Sequence, residues 1–295
     1  MVREREPVLF IVNPVSGAGK ANKLTSFISK GLDLSKYSPE IVFSKGPNTS
    51  SGIARDAMQN GIKKIFAAGG DGTVNEVASA LINTECVLGI IPFGSGNGFA
   101  RHLRIPLNPT KAISLINREK IAMVDYGIVN KIPFFCTAGT GFDALVGYKF
   151  DQTKGRGFAN YFKTTAREYF NYKSQHYTLI DNEHRMEREA FVITVANASQ
   201  FGNNAYIAPD AEITDGLLDV TVISPFPKYL SPSIGIKLFN KTLGKSRYVE
   251  MFRVSSLTIK RHEEEGYVHY DGEPKIMGDT LNFSIKHLGL KVYVP

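Results

Sequence analysis

The chain has 295 residues, of which 43% are hydrophobic and 21% charged, enough for two packed domains and too balanced for a disordered protein. Lysine and arginine total 35 against 28 aspartates and glutamates, and the net charge of +7 favours anionic partners such as nucleotide phosphates or a membrane surface. The basic residues are scattered rather than clustered, so we expect no nucleic-acid partner.

Strand and helix signals alternate through the first part of the chain. The predicted elements are a strand at 8–12, a helix at 18–32, a strand at 40–44, a helix at 49–59, a strand at 64–68, a helix at 73–82, a strand at 87–92 and a helix that begins at Gly98. Repeated units of an apolar strand and a helix predict a parallel or mostly parallel sheet with helices on both faces.

The pattern changes after Asp125, where short strands become the main element. Strands are predicted at 134–138, 176–181, 189–196, 218–223, 252–260, 267–270 and 279–294, with helical insertions at 158–172 and 232–243. Several strands alternate in polarity, which is typical of an antiparallel sandwich. We therefore predict an α/β domain at residues 1–127 and a mainly antiparallel β-sandwich domain with helical insertions at residues 128–295.

Targeting and redox signals are weak. The N-terminal MVREREP has charges but no apolar segment after them, so no signal peptide is predicted, and no stretch approaches the ~20 apolar residues that span a bilayer. Cys86 and Cys136 lie in apolar stretches, as buried thiols of a reducing compartment do. We expect a cytoplasmic protein that visits a membrane without crossing it.

The strongest motif is GGDGTVNE at 69–76, which follows a predicted strand and opens a predicted helix. Glycines let a ligand approach the backbone, and the N–H groups of a helix N-terminus bind anions. The carboxylate of Asp71 would repel a phosphate unless a divalent cation lies between them, as Mg²⁺ does. The motif therefore predicts a metal–nucleotide site, and the alternative is a Gly-Asp-Gly turn followed by a helix cap.

A second glycine loop, PFGSGNGFAR at 92–101, also lies between an apolar strand and a helix. Loops at the ends of neighbouring strands face each other across a crevice, where open α/β sheets bind ligands. Ser95 and Asn97 are candidate donors to phosphate or ribose. Arg101 is either a phosphate ligand or part of a solvated helix face, and the solvated face is slightly favoured.

A third glycine loop, NPVSGAGK at 13–20, fails as a P-loop. Pro14 stands where that motif needs glycine, and Ala21 stands where it needs serine or threonine. The segment remains a glycine loop at the end of a strand that could cover a nucleotide. Neither this loop nor Gly94-Ser95-Gly96 has the spacing and acidic partner of a dinucleotide-binding fingerprint.

Two acidic motifs lie in the second domain. In Asp271-Gly272-Glu273 the carboxylate of Glu273 is a candidate general base for an attacking hydroxyl, although paired carboxylates on a glycine turn are common at surfaces. Asp215, in DGLLD at 215–219, suits a turn into a strand and a cation site about equally.

Taken together, these motifs resemble the diacylglycerol kinase catalytic family, which includes bacterial lipid kinases and sphingosine kinases. The resemblance runs in order through essentially the whole chain, from Asn13-Pro14 and Ser16-Gly17 through GGDGTVNEV, PFGSGNGFAR and DGLLD to DGE. It implies an α/β nucleotide-binding domain and a β-sandwich domain, with the active site in the cleft between them. It also implies phosphoryl transfer from ATP, with Mg²⁺, to a hydroxyl of a membrane lipid, most readily diacylglycerol.

The resemblance also assigns roles to individual residues. It implies that Glu273 is the base, supported by Asp271 and Asp125, that Asp71 holds Mg²⁺ through water, and that a structural cation lies near Asp215 with the carbonyls of Glu212 and Leu217. The residues predicted to bind the nucleotide, with Ser44 on the adenine side, are Asn13, Ser16, Gly17, Ser44, Gly69, Gly70, Asp71, Gly72, Thr73, Asn75, Glu76, Gly94, Ser95, Gly96 and Asn97.

One departure bears on the lipid acceptor. Many bacterial glycerolipid kinases have Thr-Ala-Asn-Asp in the second loop, whereas this chain has Ser95-Gly96-Asn97-Gly98, nearer to sphingosine and ceramide kinases. A sphingoid base or ceramide is therefore an alternative acceptor. The sequence also leaves open an NAD kinase, which shares a GGDGT loop, and a non-catalytic protein that binds a nucleotide or a membrane.

Membrane contact is expected to be peripheral, and the sequence leaves a homodimer open. The segment 158–173 combines aromatic residues with Lys163, Arg167 and Lys173, a pattern found in membrane-surface helices. Packing of that aromatic stripe on the sandwich is the favoured interpretation.

Overall fold

The computed structural model describes residues 5–17, 20–152, 158–182 and 184–295. The described residues form two compact units, one running up to Val124 and joined by Leu288–Pro295, the other spanning Asp125–His287. The change in sequence pattern near residue 127 thus lies close to the observed boundary.

The N-terminal unit alternates strands and helices. In chain order it contains β1 (Glu6–Val12), a 3₁₀ turn (Lys20–Lys23), α1 (Leu24–Gly31), β2 (Tyr37–Phe43), α2 (Thr49–Gln59), β3 (Lys64–Gly69), α3 (Asp71–Leu81), β4 (Val87–Pro92), α4 (Gly98–His102), α5 (Pro109–Ile113) and a second 3₁₀ turn (Ser114–Arg118). Residues 18 and 19 of the helix predicted at 18–32 lie outside the described part, and the α-helix itself begins at Leu24.

These strands form a parallel sheet in the order β2-β1-β3-β4. β1, β3 and β4 are almost wholly buried, as expected of strands with apolar runs under helices on a parallel sheet. Phe10 and Phe66 stack with ring centroids 4.9 Å apart in this core. The order matters for function because it places the ends of β1, β3 and β4 side by side.

The C-terminal unit is mainly antiparallel. In chain order the elements that lie in it, wholly or in part, are β5 (Ile121–Val129), β6 (Ile132–Phe134), β7 (Thr137–Gly141), α6 (Phe142–Asp151), α7 (Phe158–Tyr169), β8 (Gln175–Asp181), β9 (His184–Ala190), β10 (Val192–Ala196), β11 (Leu218–Ile223), a 3₁₀ turn (Lys228–Leu230), α8 (Ser231–Phe239), a 3₁₀ turn (Leu243–Lys245), β12 (Val249–Val254), β13 (Ser256–Tyr270) and β14 (Glu273–Tyr293). β12, β11, β10, β7, β13 and β14 pair in that order, each pair antiparallel, and β8 with β9 extends from β13.

Some element boundaries differ from those predicted. The strand predicted at 189–196 is broken at Phe191, and helix α6 has no counterpart in the prediction. β13 and β14 form one long hairpin whose turn residues, Asp271 and Gly272, have φ of 46° and 85°. Positive φ at both central residues is typical of a type I′ Asp-Gly turn, which follows the twist of the paired strands.

The end of the chain requires a correction. The predicted second domain ran to residue 295, but Leu288–Pro295 belongs to the N-terminal unit. Lys291 and Val292, near the end of β14, pair in parallel with Val87 and Leu88 of β4. By pairing with the edge of the parallel sheet, this strand forms hydrogen bonds with its backbone N–H and C=O groups. No local pattern in the sequence predicts that β4 is its partner.

Candidate active site

The three glycine loops all follow strands of the parallel sheet at the same edge. Asn13 N–H donates to the carbonyl of Ala68 at 3.0 Å, and Phe93 N–H donates to the carbonyl of Gly69 at 2.8 Å. These bonds tie the loop after β1 and the loop after β4 to the end of β3. The carboxyl edge of β1, β3 and β4 is therefore the ligand-binding edge expected for an open α/β sheet.

Asp71 joins two of these loops. It is the first residue of α3, and its two carboxylate oxygens accept the backbone N–H groups of Asn97 and Gly98, each at 2.8 Å. A negative charge at the N-terminus of a helix is stabilised by the helix dipole. The structure thus gives Asp71 a bracing function, beside the metal function that the sequence predicts.

Gly70 and Gly94 pack backbone against backbone. A Cβ atom on Gly94 would lie 2.6 Å from Cα of Gly70, and one on Gly69 would lie 2.4 Å from Oγ1 of Thr73. Both distances are too short for real contacts, so glycine is required at 94 for the two loops to approach each other and at 69 for Thr73 to pack at the start of α3. The sequence had predicted these glycines for approach of a ligand.

The loop after β4 is held by its own side chains. Asn97, with φ of 51°, donates from Nδ2 to the carbonyl of Gly94 at 2.7 Å. Arg101 Nε donates to the carbonyl of Gly96 at 3.0 Å, so this guanidinium braces the loop instead of lying on a solvated helix face. Ser95 is exposed at the tip of this fixed loop. Its hydroxyl is thereby presented to solvent on a rigid support.

The first loop is fixed to α3. Asn13 Nδ2 donates to Thr73 Oγ1 at 3.3 Å, and Asn13 Oδ1 accepts the N–H of Val15 at 3.1 Å. Ser16 N–H donates to the carbonyl of Asn13 at 3.1 Å, and Gly17 has a positive φ of 72°. The structure therefore brings predicted residues of this loop beside α3. Residues 18 and 19, in the same motif, lie outside the described part.

Two predicted nucleotide ligands are engaged in helix packing. Glu76 accepts the backbone N–H groups of Asn48 and Ser50 at 2.8 and 2.9 Å, which satisfies the N-terminus of α2. Asn75 Oδ1 accepts the hydroxyl of Ser79 at 3.3 Å on the same face of α3. These contacts position helices. Contact of Glu76 and Asn75 with a nucleotide stays a prediction.

Ser44 lies at the end of β2 on the same edge of the sheet. Its N–H donates to the carbonyl of Val12 at 2.9 Å, and the residue is buried. This register puts Ser44 beside the first glycine loop. Its contact with the adenine side of a nucleotide stays a prediction.

In the C-terminal unit, Asp271 is held by the start of β7. Its buried carboxylate accepts the N–H groups of Phe135, Cys136 and Thr137 at 2.8, 2.7 and 3.2 Å. Its own N–H donates to the carbonyl of Thr137 at 2.8 Å. Asp271 therefore fixes the Asp-Gly turn and is not itself presented to a substrate.

Glu273 begins β14 directly after that turn, and it is exposed. Burial raises the pKa of the neighbouring Tyr270 hydroxyl, and the negative charges of Glu273 and Asp271 raise it further. The phenol is therefore protonated at neutral pH. Of the predicted catalytic residues, Glu273 is the one whose carboxylate faces solvent from a rigid turn.

Asp125 is fully buried and fully engaged. Its carboxylate accepts the N–H of Gly216 at 2.7 Å and lies 2.9 Å from Nδ1 of the exposed His287. Asn197 Nδ2 bridges the carbonyls of Asp125 and Phe135 at 3.0 and 2.9 Å. This bridge links Asp125 to the segment that holds Asp271. Asn197 is not signalled by any motif in the sequence, because its partners are backbone carbonyls far along the chain.

The predicted cation position near Asp215 contains a guanidinium. Asp215 Oδ1 accepts the N–H of Leu217 at 3.0 Å, and Oδ2 lies 3.8 Å from Arg253, whose Nε donates to Asp219 at 3.2 Å. The charges of Asp219, Asp215 and Glu212 raise the pKa of Arg253. Binding of a cation by the carbonyls of Glu212 and Leu217 stays a prediction.

Within the described residues, no group of three or more His, Cys, Asp or Glu side chains is arranged to hold a metal ion. A Mg²⁺ that travels with a nucleotide needs only one or two carboxylates beside the phosphate oxygens and water. The single oriented carboxylate of Asp71, at the edge where phosphates are expected, fits that requirement.

Comparison with known proteins agrees with this geometry. A model of the diacylglycerol kinase catalytic domain matches residues 7–129, and a model of the YegS C-terminal NAD kinase β-sandwich-like domain matches residues 136–283. A protein of Pseudomonas aeruginosa (strain UCBPP-PA14) named "Probable lipid kinase YegS-like" is 32% identical over 247 residues, which cover 82% of this chain and 80% of that protein. The chain belongs to the YegS-like lipid kinase family.

A further relative supports the assignment, and two solved structures show the fold. A YegS-like relative from Alcanivorax borkumensis is 30% identical over 251 residues, which cover 82% of each protein. The crystal structure of a diacylglycerol kinase from Bacillus anthracis str. Sterne has a TM-score of 0.73 at 22% identity, and a second chain from that organism has 0.80 at 24%. Both cover 98% of this chain and show the same fold.

Family membership confirms three predictions from the sequence. The resemblance to diacylglycerol kinases, the pairing of an α/β domain with a β-sandwich domain, and the enzyme class are all supported. The chain is thus a kinase, a phosphotransferase with an alcohol group as acceptor, and ATP is the phosphoryl donor that a kinase implies.

Proposed function

We propose that the protein transfers the γ-phosphoryl group of ATP, with Mg²⁺, to a hydroxyl group of a membrane lipid, with diacylglycerol as the first-choice acceptor. The observation that carries this proposal is the pair of glycine loops joined by the Asp71 carboxylate at the carboxyl edge of the parallel sheet. A sphingoid base or ceramide is the alternative acceptor, because of Ser95-Gly96-Asn97-Gly98.

The residues of the N-terminal unit bind and orient the nucleotide. The N-terminus of α3 and the backbone at Gly69 and Gly70 take the phosphates, since helix N-termini and close-packed glycines suit anions. Ser95 donates its hydroxyl from the braced loop. Mg²⁺, when bound near Asp71, supplies charge neutralisation for the phosphate oxygens.

Glu273 acts as general base. The lipid hydroxyl oxygen forms a bond to the γ-phosphorus while the bond from that phosphorus to the bridging oxygen of ADP breaks. The hydroxyl proton goes to the carboxylate of Glu273, a step typically worth about 10²–10⁴-fold in rate. Asp271 and Asp125 support it by fixing the turn and the segment behind it.

A structural cation near Asp215, held with the carbonyls of Glu212 and Leu217, is part of this proposal. Arg253 already brings positive charge to the same carboxylate. The cation and the guanidinium of Arg253 would both neutralise the acidic side chains at this position. Neutralisation would help to fix the turn whose Gly216 N–H donates to the carboxylate of Asp125.

We place the protein in the cytoplasm, bound peripherally at a membrane surface where its substrate lies. In the described ranges no helix is both long enough and apolar enough to cross a bilayer. A homodimer is compatible with this function.

The experiment is transfer of label from γ-labelled ATP, with Mg²⁺, to diacylglycerol, monoacylglycerol, ceramide, a sphingoid base and NAD in parallel. Glu273→Gln tests the base, and Glu265→Gln, an exposed glutamate on the same hairpin, is its matched control. We expect a labelled lipid with wild type and the control, and loss of about 10²-fold or more with Glu273→Gln at unchanged ATP binding.

Each remaining outcome is decisive as well. Undiminished turnover of Glu273→Gln removes Glu273 as the base. Label on NAD alone makes the protein a soluble-nucleotide kinase, an outcome worth testing because the matched C-terminal model is NAD kinase-like. ATP binding without label on any acceptor points to a non-catalytic protein.

A further inference from the structure

Helix α8 is apolar on two opposite faces. Ile234 and Leu238 pack against the aromatic and aliphatic cluster of the C-terminal unit. Ile236 and Phe239 are 60% and 49% exposed, and the helical period places them on the face opposite Ile234 and Leu238. A surface helix normally carries polar residues on its outer face, so a second apolar face indicates a surface that is covered by another molecule.

Two more exposed apolar side chains lie at the N-terminal end of α8. Tyr229, in the 3₁₀ turn that leads into the helix, is 79% exposed, and Phe170 is 67% exposed. Lys228 Nζ donates to the carbonyl of Phe170 at 2.7 Å and lies 5.7 Å from its ring centroid. Lys228 thus holds Phe170 against the start of the α8 segment.

The segment that carries this apolar face has charges of one sign. Residues 224–249 contain five basic residues and no aspartate or glutamate. The basic residues are Lys228, Lys237, Lys241, Lys245 and Arg247. All except the half-buried Lys237 are exposed. A second copy of the chain would bring the same positive charge, whereas an anionic surface is complementary to it.

We propose that the α8 surface, formed by Lys228, Tyr229, Ile236, Phe239, Lys241 and Lys245 with Phe170 at its edge, docks on a bilayer of anionic lipid. Exposed aromatic and aliphatic side chains enter the boundary between headgroups and acyl chains, and lysines lie among the anionic headgroups. The purpose of this docking rests on the proposed function, since a lipid acceptor must be reached at a membrane.

The segment singled out from the sequence for membrane contact is a weaker candidate. The side chains of Phe158, Tyr161 and Phe162 lie outside the described part of the chain. Tyr169 packs edge-on against the rings of Phe142 and Phe191, each at 5.8 Å. The described part of α7 therefore agrees with the favoured interpretation of core packing, and the docking surface is assigned to α8.

The test is flotation of the full chain with vesicles of phosphatidylcholine alone or mixed with phosphatidylglycerol. The apolar variant is Ile236→Asp/Phe239→Asp, and its control is Leu107→Asp, a comparably exposed leucine in the N-terminal unit. The basic variant is Lys241→Ala/Lys245→Ala, and its control is Lys30→Ala/Lys111→Ala, which removes two exposed lysines elsewhere.

We expect wild type and both controls to float with the anionic vesicles and to remain behind with phosphatidylcholine alone. The apolar variant should lose at least about tenfold in vesicle affinity. The basic variant should lose about fivefold for each lysine removed, and added salt should weaken wild-type binding. Unfolding midpoints equal to wild type establish that each variant is folded.

Equal flotation of wild type and the apolar variant overturns the proposal, and so does equal binding to neutral and anionic vesicles. A wild-type dimer that the apolar variant dissociates, without vesicle binding, assigns the surface to a second copy instead. Flotation measures binding without turnover, so its result is independent of the result of the kinase assay. Where the kinase assay succeeds, the apolar variant should keep its rate on short-chain lipid in detergent micelles and lose rate on vesicles.

Discussion

The carboxylate of Asp71 accepts the backbone N–H of Asn97 at 2.8 Å, and this bond joins the glycine loop after β3 to the glycine loop after β4. Gly98 donates to the other oxygen of the same carboxylate. One side chain therefore sets the spacing of two loops proposed to hold the phosphates. A change at Asp71 alters both the fold of the site and its charge.

Asp71→Asn should lower stability and activity together. The amide group places N–H donors against one backbone N–H, so we expect the free energy of unfolding to fall by about 1–3 kcal/mol. Loss of the charge beside the phosphates should reduce phosphoryl transfer by about 10²-fold or more. Urea unfolding and transfer rates at varied Mg²⁺ measure the two effects. Asp56→Asn, on the exposed face of α2, should change neither.

Gly94→Ala should disrupt the site through backbone contact. The added Cβ would meet Cα of Gly70 at 2.6 Å, and neither backbone can move away without displacing its loop. We expect a loss of about 1–3 kcal/mol in stability together with weaker ATP binding. Gly52→Ala is the control, because its Cβ meets nothing within 4 Å inside α2. That variant should gain about 0.5–1 kcal/mol, and a similar gain at Gly94 would contradict the packing argument.

Asp271→Asn and Glu273→Gln should separate positioning from chemistry. Asp271 is buried and accepts three backbone N–H groups, so Asp271→Asn should lose about 2–3 kcal/mol of stability. Glu273 is exposed, so Glu273→Gln should stay within about 0.5 kcal/mol of wild type while turnover falls. Denaturant unfolding and turnover are measured on the same preparations. Equal destabilisation by the two changes would remove this division of roles.

His102 should make the protein less stable in acid. Burial, with a smaller contribution from the positive charge of Arg104, lowers the pKa of His102 to about 4. Between about pH 6.5 and pH 4 the unfolded chain, whose histidine has an ordinary pKa, binds a proton at His102, whereas the folded chain leaves this imidazole neutral. Stability from neutral His102 is therefore complete above about pH 6.5 and is lost as the pH falls towards 4.

The measurement is urea unfolding of wild type and His102→Gln at about pH 7 and about pH 4. Wild type should lose about 3 kcal/mol more than the variant over that interval. His184→Gln, at an exposed histidine, should behave as wild type. Parallel losses in wild type and His102→Gln would show that other groups account for the acid sensitivity.

Much of the fold could be predicted from local patterns. The helix at 49–59 and the strands at 87–92 and 218–223 coincide with α2, β4 and β11, because apolar periodicity and the flanking glycine, proline and asparagine residues lie within a few positions of each element. The glycine motifs and DGE can likewise be recognised within a few consecutive residues. These signals were sufficient to predict the family and the succession of a parallel α/β domain and a mainly antiparallel domain.

Partners that are distant along the chain could be found only in the tertiary structure. Asp71 bonds to residues 26 and 27 positions away, Asp271 to residues more than 130 positions away, and the last strand residues pair with β4 across some two hundred positions. The choice of a hydrogen-bond partner depends on which strands pack side by side, and a carboxylate in a turn has the same local sequence whether it faces a substrate or a buried backbone. The sequence by itself therefore determined the chemistry available to this protein, and the tertiary structure decided that Asp71 braces as well as bears charge, that Asp271 positions the turn, and that Glu273 faces solvent.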